Sequence, residues 1–232
     1  MYHCENDFVQ IHDLLEIDAN AFMSGNASAP EWVEEELRKS PFVVVRRERS
    51  TDQEIPIGVR GAERNRRWAA FCHRTWVKSI LTPPQLLTRT VPELRAYDST
   101  AFSALHVLRD RWIDLDHPWG PGGSIGFALA TGRQVVKPES DLDVVIYAEE
   151  KITREEAKSL CNKAINLPVN VDIRIETRAC GFSLTEYATA GSVRILLRTP
   201  EGLELGNDPW NHAPTLMDGG RDVREGLNAP WA

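Results

Sequence analysis

Two aspartates one residue apart, Asp141 and Asp143, stand at the head of the apolar run Leu142-Asp143-Val144-Val145-Ile146. No other segment restricts the possible folds of the chain as tightly. Val and Ile at this density read as a strand. Side chains alternate along a strand, so the two carboxylates leave one face about 7 Å apart at the backbone, while Leu142 and Val144 enter the opposite, buried face. Two like charges on one face repel each other and disfavour the strand. A cation between them relieves this, and hard oxygen ligands suit Mg²⁺. The chain therefore calls for a sheet with one apolar face and one face given over to charge.

The surrounding sequence extends the pattern. Gly122-Gly123-Ser124 precedes Ser140-Asp141 by fifteen residues, and a Gly-rich turn presents backbone N–H groups to a phosphate without side-chain obstruction. Thr153 and Glu156 form a capping-box pattern, opening a helix to about Ile165 with Ala157, Leu160, Cys161 and Ala164 on its inner face. Val169–Glu176 then alternates strictly, with Asn170, Asp172, Arg174 and Glu176 on the polar side. If the two strands are neighbours, Asp172 joins Asp141 and Asp143, and three carboxylates can hold two metal ions roughly 3.5–4 Å apart. Taken singly, each feature has a plain reading: a surface D-x-D pair, an ordinary turn, a solvated strand face. Their conjunction in this order points to a nucleotidyltransferase-type site.

Residues 41–47 and 55–60 read as strands, and Trp68–Cys72 as a third apolar segment after the basic loop Gly61–Arg67. Thr82-Pro83-Pro84 makes a natural break. Phe102, Leu105, Leu108 and Trp112 share one face of a helix over 99–112, stopped by the Pro- and Gly-rich stretch 116–123. Ser183 and Glu186 suggest a second capping box, and 193–198 with 203–205 a hairpin. The expected architecture is α+β: a small sheet-rich domain over 1–82, a mixed sheet with flanking helices over 83–210, and a tail over 211–232. Arg60, Arg64, Arg66 and Arg67 cluster around one turn, and Lys137 lies between the Gly turn and the D-x-D pair. Such groups suit phosphate, although a solvated turn explains them equally. Arg60, which closes a strand, ranks first. Trp112 and Trp119 are expected to pack the junction between the domains.

Lys plus Arg number 27 against 34 Asp plus Glu, a net charge of -7 in 232 residues, which argues against non-specific nucleic-acid binding. No apolar run approaches the ~20 residues needed to span a bilayer. The first residues carry no basic or apolar export signal, and Cys4, Cys72, Cys161 and Cys180 are scattered. A reduced, cytoplasmic protein without structural zinc is the expectation.

In its Gly-Ser turn, Asp-x-Asp strand and later carboxylate, the chain resembles the polymerase-β-like nucleotidyltransferase superfamily. More closely, it resembles the phosphoribosyl-dephospho-CoA transferases of malonate decarboxylase. Trp119–Phe127, Ala130-Thr131-Gly132, Ser140–Asp143, Val171-Asp172, Gly181–Ala188, Leu196–Thr199 and Asp208-Pro209-Trp210 carry that likeness, with Pro56–Gly61 and Pro83–Leu87 upstream. The resemblance implies transfer of a 2'-(5''-phosphoribosyl)-3'-dephospho-CoA group from its 5''-triphosphate to a serine of the apo acyl carrier subunit of malonate decarboxylase, with release of pyrophosphate. It further implies Mg²⁺ on Asp141, Asp143 and Asp172, and donor phosphates on Gly123 and Ser124. An adenylyltransferase of the same superfamily, or a catalytically idle nucleotide-binding scaffold, are the competing readings; the intact carboxylate trio argues against the second.

Overall fold

Short apolar segments build the first unit of the computed structural model, which describes residues 9–61, 63, 66–91, 99–191 and 193–211. Beyond residue 211 the expected tail lies outside the described residues. Leu14–Ile17 (β1), Phe42–Val45 (β2), Glu54–Arg60 (β3), Arg67–His73 (β4) and Val77–Leu81 (β5) pair antiparallel in the order β4-β3-β2-β1-β5. Between β1 and β2 run helices Ala19–Gly25 (α1), capped by the Asp18 carboxylate, and Glu31–Lys39 (α2). Phe22, Val33 and Leu37 of these helices cluster with Leu15, Ile17, Val43, Val45 and Ile57 on one face of the sheet. Around β1, β2 and β5 the other face is covered too. Leu14 belongs to the core of the second unit, and Phe42, Val44 and Leu81 pack against it.

The second unit opens at Thr82. Its hydroxyl accepts from the Gln85 N–H, and the Gln85 side chain returns the bond to Thr82, so Pro83 and Pro84 begin a helix, Pro83–Thr88 (α3). What the sequence offers as a break is thus also a helix start, because proline costs nothing where the N–H has no helical partner. Helix Thr100–Arg111 (α4) matches the periodic stretch expected there, with Leu105 and Leu108 buried. Then follow Trp119–Pro121 (β6), Gly123–Thr131 (α5), Leu142–Tyr147 (β7), Arg154–Ala164 (α6), Val171–Glu176 (β8), Gly181–Ser183 (β9), Leu184–Thr189 (α7), Ile195–Thr199 (β10) and Gly202–Gly206 (β11). The six strands lie in the order β11-β10-β9-β8-β7-β6. β7 and β8 are parallel, with α6 as their crossover, and every other pair is antiparallel. The architecture is α+β, a small antiparallel sheet beside a mixed sheet with helices. Trp112 and Trp119 meet edge-to-face at 4.9 Å within the larger core. Among the described residues no helix is long and apolar enough to cross a membrane.

The capping box at Thr153 and Glu156 forms in full. The one at Ser183 forms by half: Ser183 accepts from the Glu186 N–H, but the Glu186 carboxylate accepts from the Leu196 N–H at 2.9 Å, tying α7 to β10 instead.

Polar contacts join the units. The Tyr147 hydroxyl donates to the Ile11 carbonyl at 2.7 Å. Buried Glu176 meets His12 Nε2 at 2.8 Å and also accepts from Arg47. Arg133 reaches Glu36 at 3.3 Å. Tyr147 and Glu176 share the face of the mixed sheet that bears Asp143 and Asp172, because alternation puts every second residue there. The first unit therefore sits over the charged face of the second.

Candidate active site

The Gly-rich segment is not a free turn: it is where α5 begins. The Gly122 N–H donates to the Asp143 carbonyl at 2.9 Å, and the first helical bond runs from Gly126 N–H to Gly122 O at 2.7 Å. The N–H groups of Gly123, Ser124 and Ile125 thus precede the intrahelical ladder. No side chain caps them, since the N-cap is Gly122. Gly123 has φ +54°, and a Cβ there would stand 1.8 Å from Asp143 Oδ2. Only glycine lets the helix start this close to the carboxylate. A helix N-terminus with bare N–H groups is an anion site by geometry and dipole.

β7 and β8 are the neighbours that the charge pattern requires. Asp143 stands directly opposite Asp172 in the parallel register, with strands about 4.8 Å apart. Asp141 precedes β7 by one residue and is partly exposed. Burial raises the Asp143 carboxyl above the usual carboxylate range, and the charges of Asp172 and Asp141 raise it further; Arg174 and Arg60 act in the opposite sense. Charged groups from β3, the head of β7, and β8 thus converge on one carboxylate.

The sequence candidates fall differently. Arg60 ends β3 within electrostatic reach of Asp143, although it belongs to the first unit. Ser124 is buried in the first turn of α5. Lys137 is exposed in a short turn closed by the Lys137 N–H to Ser140 Oγ bond at 2.9 Å. Arg66 is exposed and lies 3.7 Å from Glu63; Arg67 is exposed too, and Arg64 lies outside the described residues. The sequence alone leaves Arg174 on a solvated face. In the structure it is largely buried and donates to Asp172 Oδ2 at 3.1 Å. Only the strict alternation of β8 hints that it shares the face of Asp172.

Among the described residues no three His, Cys, Asp or Glu side chains are gathered tightly enough to hold a metal ion by themselves. The chemistry of the donor set nonetheless fits a hard divalent cation. Carboxylate oxygens stand in register on two strands, and burial together with their mutual repulsion raises the Asp143 carboxyl, which a bound cation would offset. One side of the site offers N–H groups to anions, its centre offers carboxylates to cations, and arginines flank it. That division suits transfer of a phosphorylated group.

The family model for the phosphoribosyl-dephospho-CoA transferase MdcG C-terminal domain matches residues 87–209, and the model for the N-terminal domain of the same family matches residues 10–83. A Pseudomonas aeruginosa protein named phosphoribosyl-dephospho-CoA transferase is 36% identical over 202 residues, 87% of this chain and 94% of that one. A Klebsiella pneumoniae protein of the same name is 32% identical over 204 residues, 86% of this chain and 95% of its own. One from Azotobacter vinelandii is 33% identical over 190 residues, covering 80% and 87%. No solved structure matches. With both domain models matched in order and relatives aligned over nearly their full length, the chain belongs to the phosphoribosyl-dephospho-CoA transferase family.

Proposed function

We propose that this protein transfers the phosphoribosyl-dephospho-CoA group from 2'-(5''-triphosphoribosyl)-3'-dephospho-CoA to a serine of the apo acyl carrier subunit of malonate decarboxylase, in a Mg²⁺-dependent nucleotidyl transfer. The observation that carries the reading is the direct register of Asp143 and Asp172 beside the bare N-terminus of α5, in a chain of this family. The acceptor serine oxygen forms a bond to the α-phosphorus, the bond from that phosphorus to the β-phosphate oxygen breaks, and the electron pair leaves on pyrophosphate. The serine proton passes to a carboxylate of the cluster, Asp172 in this assignment.

The chain's own groups meet the demands of that step. A serine hydroxyl is a weak nucleophile until a base or metal activates it. The Gly123 and Ser124 N–H groups receive the β- and γ-phosphates and stabilise the charge that develops on the leaving group. Arg60, from the other unit, adds positive charge beside Asp143. Asp141, Asp143 and Asp172 would hold Mg²⁺, which when bound neutralises phosphate charge and polarises the attacked phosphorus. Donor phosphate oxygens would complete the set around it.

Intact-mass measurement of the apo carrier subunit tests this. Incubated with the protein, Mg²⁺ and the triphosphoribosyl donor, the carrier should gain one phosphoribosyl-dephospho-CoA group, and it should gain nothing with ATP. An adenylyl-sized gain with ATP alone would contradict the donor assignment.

A further inference from the structure

Beyond the carboxylates, the charged face of the mixed sheet continues to a pair of arginines. Arg174 lies two residues after Asp172 on β8 and shares its face. Across the sheet, Glu176 pairs with Gly181 and Gly181 with Arg198, so Arg198 projects from the same face as Glu176 and Arg174. Gly181 carries no side chain in that row, and the Glu176 carboxylate fills the place, since a Cβ there would stand 2.6 Å from it.

The two guanidinium groups are unequally matched. Arg174 is held by Asp172 at 3.1 Å. Arg198 is half-buried on β10, and its guanidinium, unlike its backbone, has no hydrogen bond and no carboxylate within ion-pair distance among the described residues. Its surroundings even work against its charge: burial lowers its pKa, and the nearby Arg174 lowers it further, with Asp172, Glu176 and Glu186 only partly compensating. Glu176 cannot serve as its partner, being already engaged with His12 and Arg47. Taking a guanidinium out of water beside another cation is unfavourable unless an anion completes the site. Arginine's planar donor fork suits phosphate oxygens.

The position says which anion. In sheet order the α5 N-terminus borders β7, the carboxylates stand on β7 and β8, and the arginines stand on β8 and β10. Arg174 therefore borders the reaction centre, and Arg198 lies two strands beyond it, on the side away from the helix terminus. Dephospho-CoA carries a diphosphate between adenosine and its pantetheine arm, well separated from the ribosyl triphosphate. We propose that Arg198, with Arg174, forms a second phosphate site that takes this diphosphate and so fixes the non-reacting body of the donor. This rests on the donor assigned above.

Calorimetric titration of the full-length protein with dephospho-CoA, which has the diphosphate but no triphosphate, tests the site. Arg198→Gln should weaken dephospho-CoA binding by about tenfold or more, as loss of charge-assisted hydrogen bonds implies. Inorganic triphosphate should bind Arg198→Gln and wild type alike, because its place is the α5 terminus. In transfer, the KM for the donor should rise while kcat stays near wild type, a split that a merely structural role would not give. Arg198→Lys, which keeps the charge, should recover part of the affinity and provides the comparison if the Gln variant does not fold. Unchanged dephospho-CoA affinity in Arg198→Gln, with donor-dependent transfer intact in the wild type, would overturn the second site and leave the function standing. Absence of transfer from the triphosphoribosyl donor by the wild type would instead remove the function on which the site rests.

Discussion

At position 123 a methyl group has nowhere to go. Gly123 adopts a left-handed φ of +54°, and its missing side chain faces the Asp143 carboxylate. Gly191 has nearly the same backbone, φ +58°, but nothing lies within 4 Å of the point where a Cβ would stand. The two positions separate strain from contact. Gly191→Ala should cost only the left-handed backbone strain, about 1–2 kcal/mol, and leave transfer intact. Gly123→Ala should carry the same strain and also displace the carboxylate, so transfer should fall by more than about tenfold, the rate equivalent of about 1.4 kcal/mol. Denaturant midpoints and carrier-loading rates of both variants check this; equal activity in the two would show that Asp143 does not need its place.

At the scale of elements, legibility in the sequence followed exposure. β8 alternates because one face is apolar and the other polar, and α4 and α6 show helical spacing because each has one buried side. Those elements could be read from residue pattern alone. α5 could not. Ser124 through Ala130 are all buried, so the helix has no polar side to set against an apolar one, and its Gly-Gly-Ser start reads in sequence as a turn. β1 escaped for a related reason: Leu14 enters one core and Leu15 the other, which erases alternation over only four residues. The carboxylates were legible because charge on an apolar strand is conspicuous. Arg174 and Arg198 were not, since their meaning depends on which strands are neighbours, and sheet order is a tertiary property.

For the whole molecule, the junction between units is where pH should act. Asp13 is fully buried beside β1; one oxygen accepts the Gln10 N–H at 2.8 Å and the other has no partner among the described residues. Burial pushes its carboxyl up to about 7. Unfolded, the same group titrates near the usual value of about 4. Between those values the folded protein holds a proton that the unfolded chain has lost, so this contribution to stability is complete below pH ~4 and gone by pH ~7. Glu176 behaves oppositely. Burial raises its carboxyl, but His12 and Arg47 more than offset this and hold it below the ordinary range, so its contribution is lost only on acidification. Asp13→Asn, an imitation of the protonated form, should therefore flatten the fall in unfolding free energy between about pH 4.5 and 7 and make the protein more stable than wild type at about pH 8. A variant whose stability follows the wild-type curve across that window would show that Asp13 does not keep its proton on folding.

The central claim is that Asp141, Asp143 and Asp172 act as one cation-binding set completed by donor phosphates. Titration of Mn²⁺, standing in for Mg²⁺, into the protein with the triphosphoribosyl donor bound tests it most directly, comparing wild type with Asp143→Asn. Saturable binding in the wild type, weakened at least about tenfold in a variant that still melts cooperatively, is the predicted result. Equal Mn²⁺ affinity in the two proteins would contradict the assignment of these carboxylates.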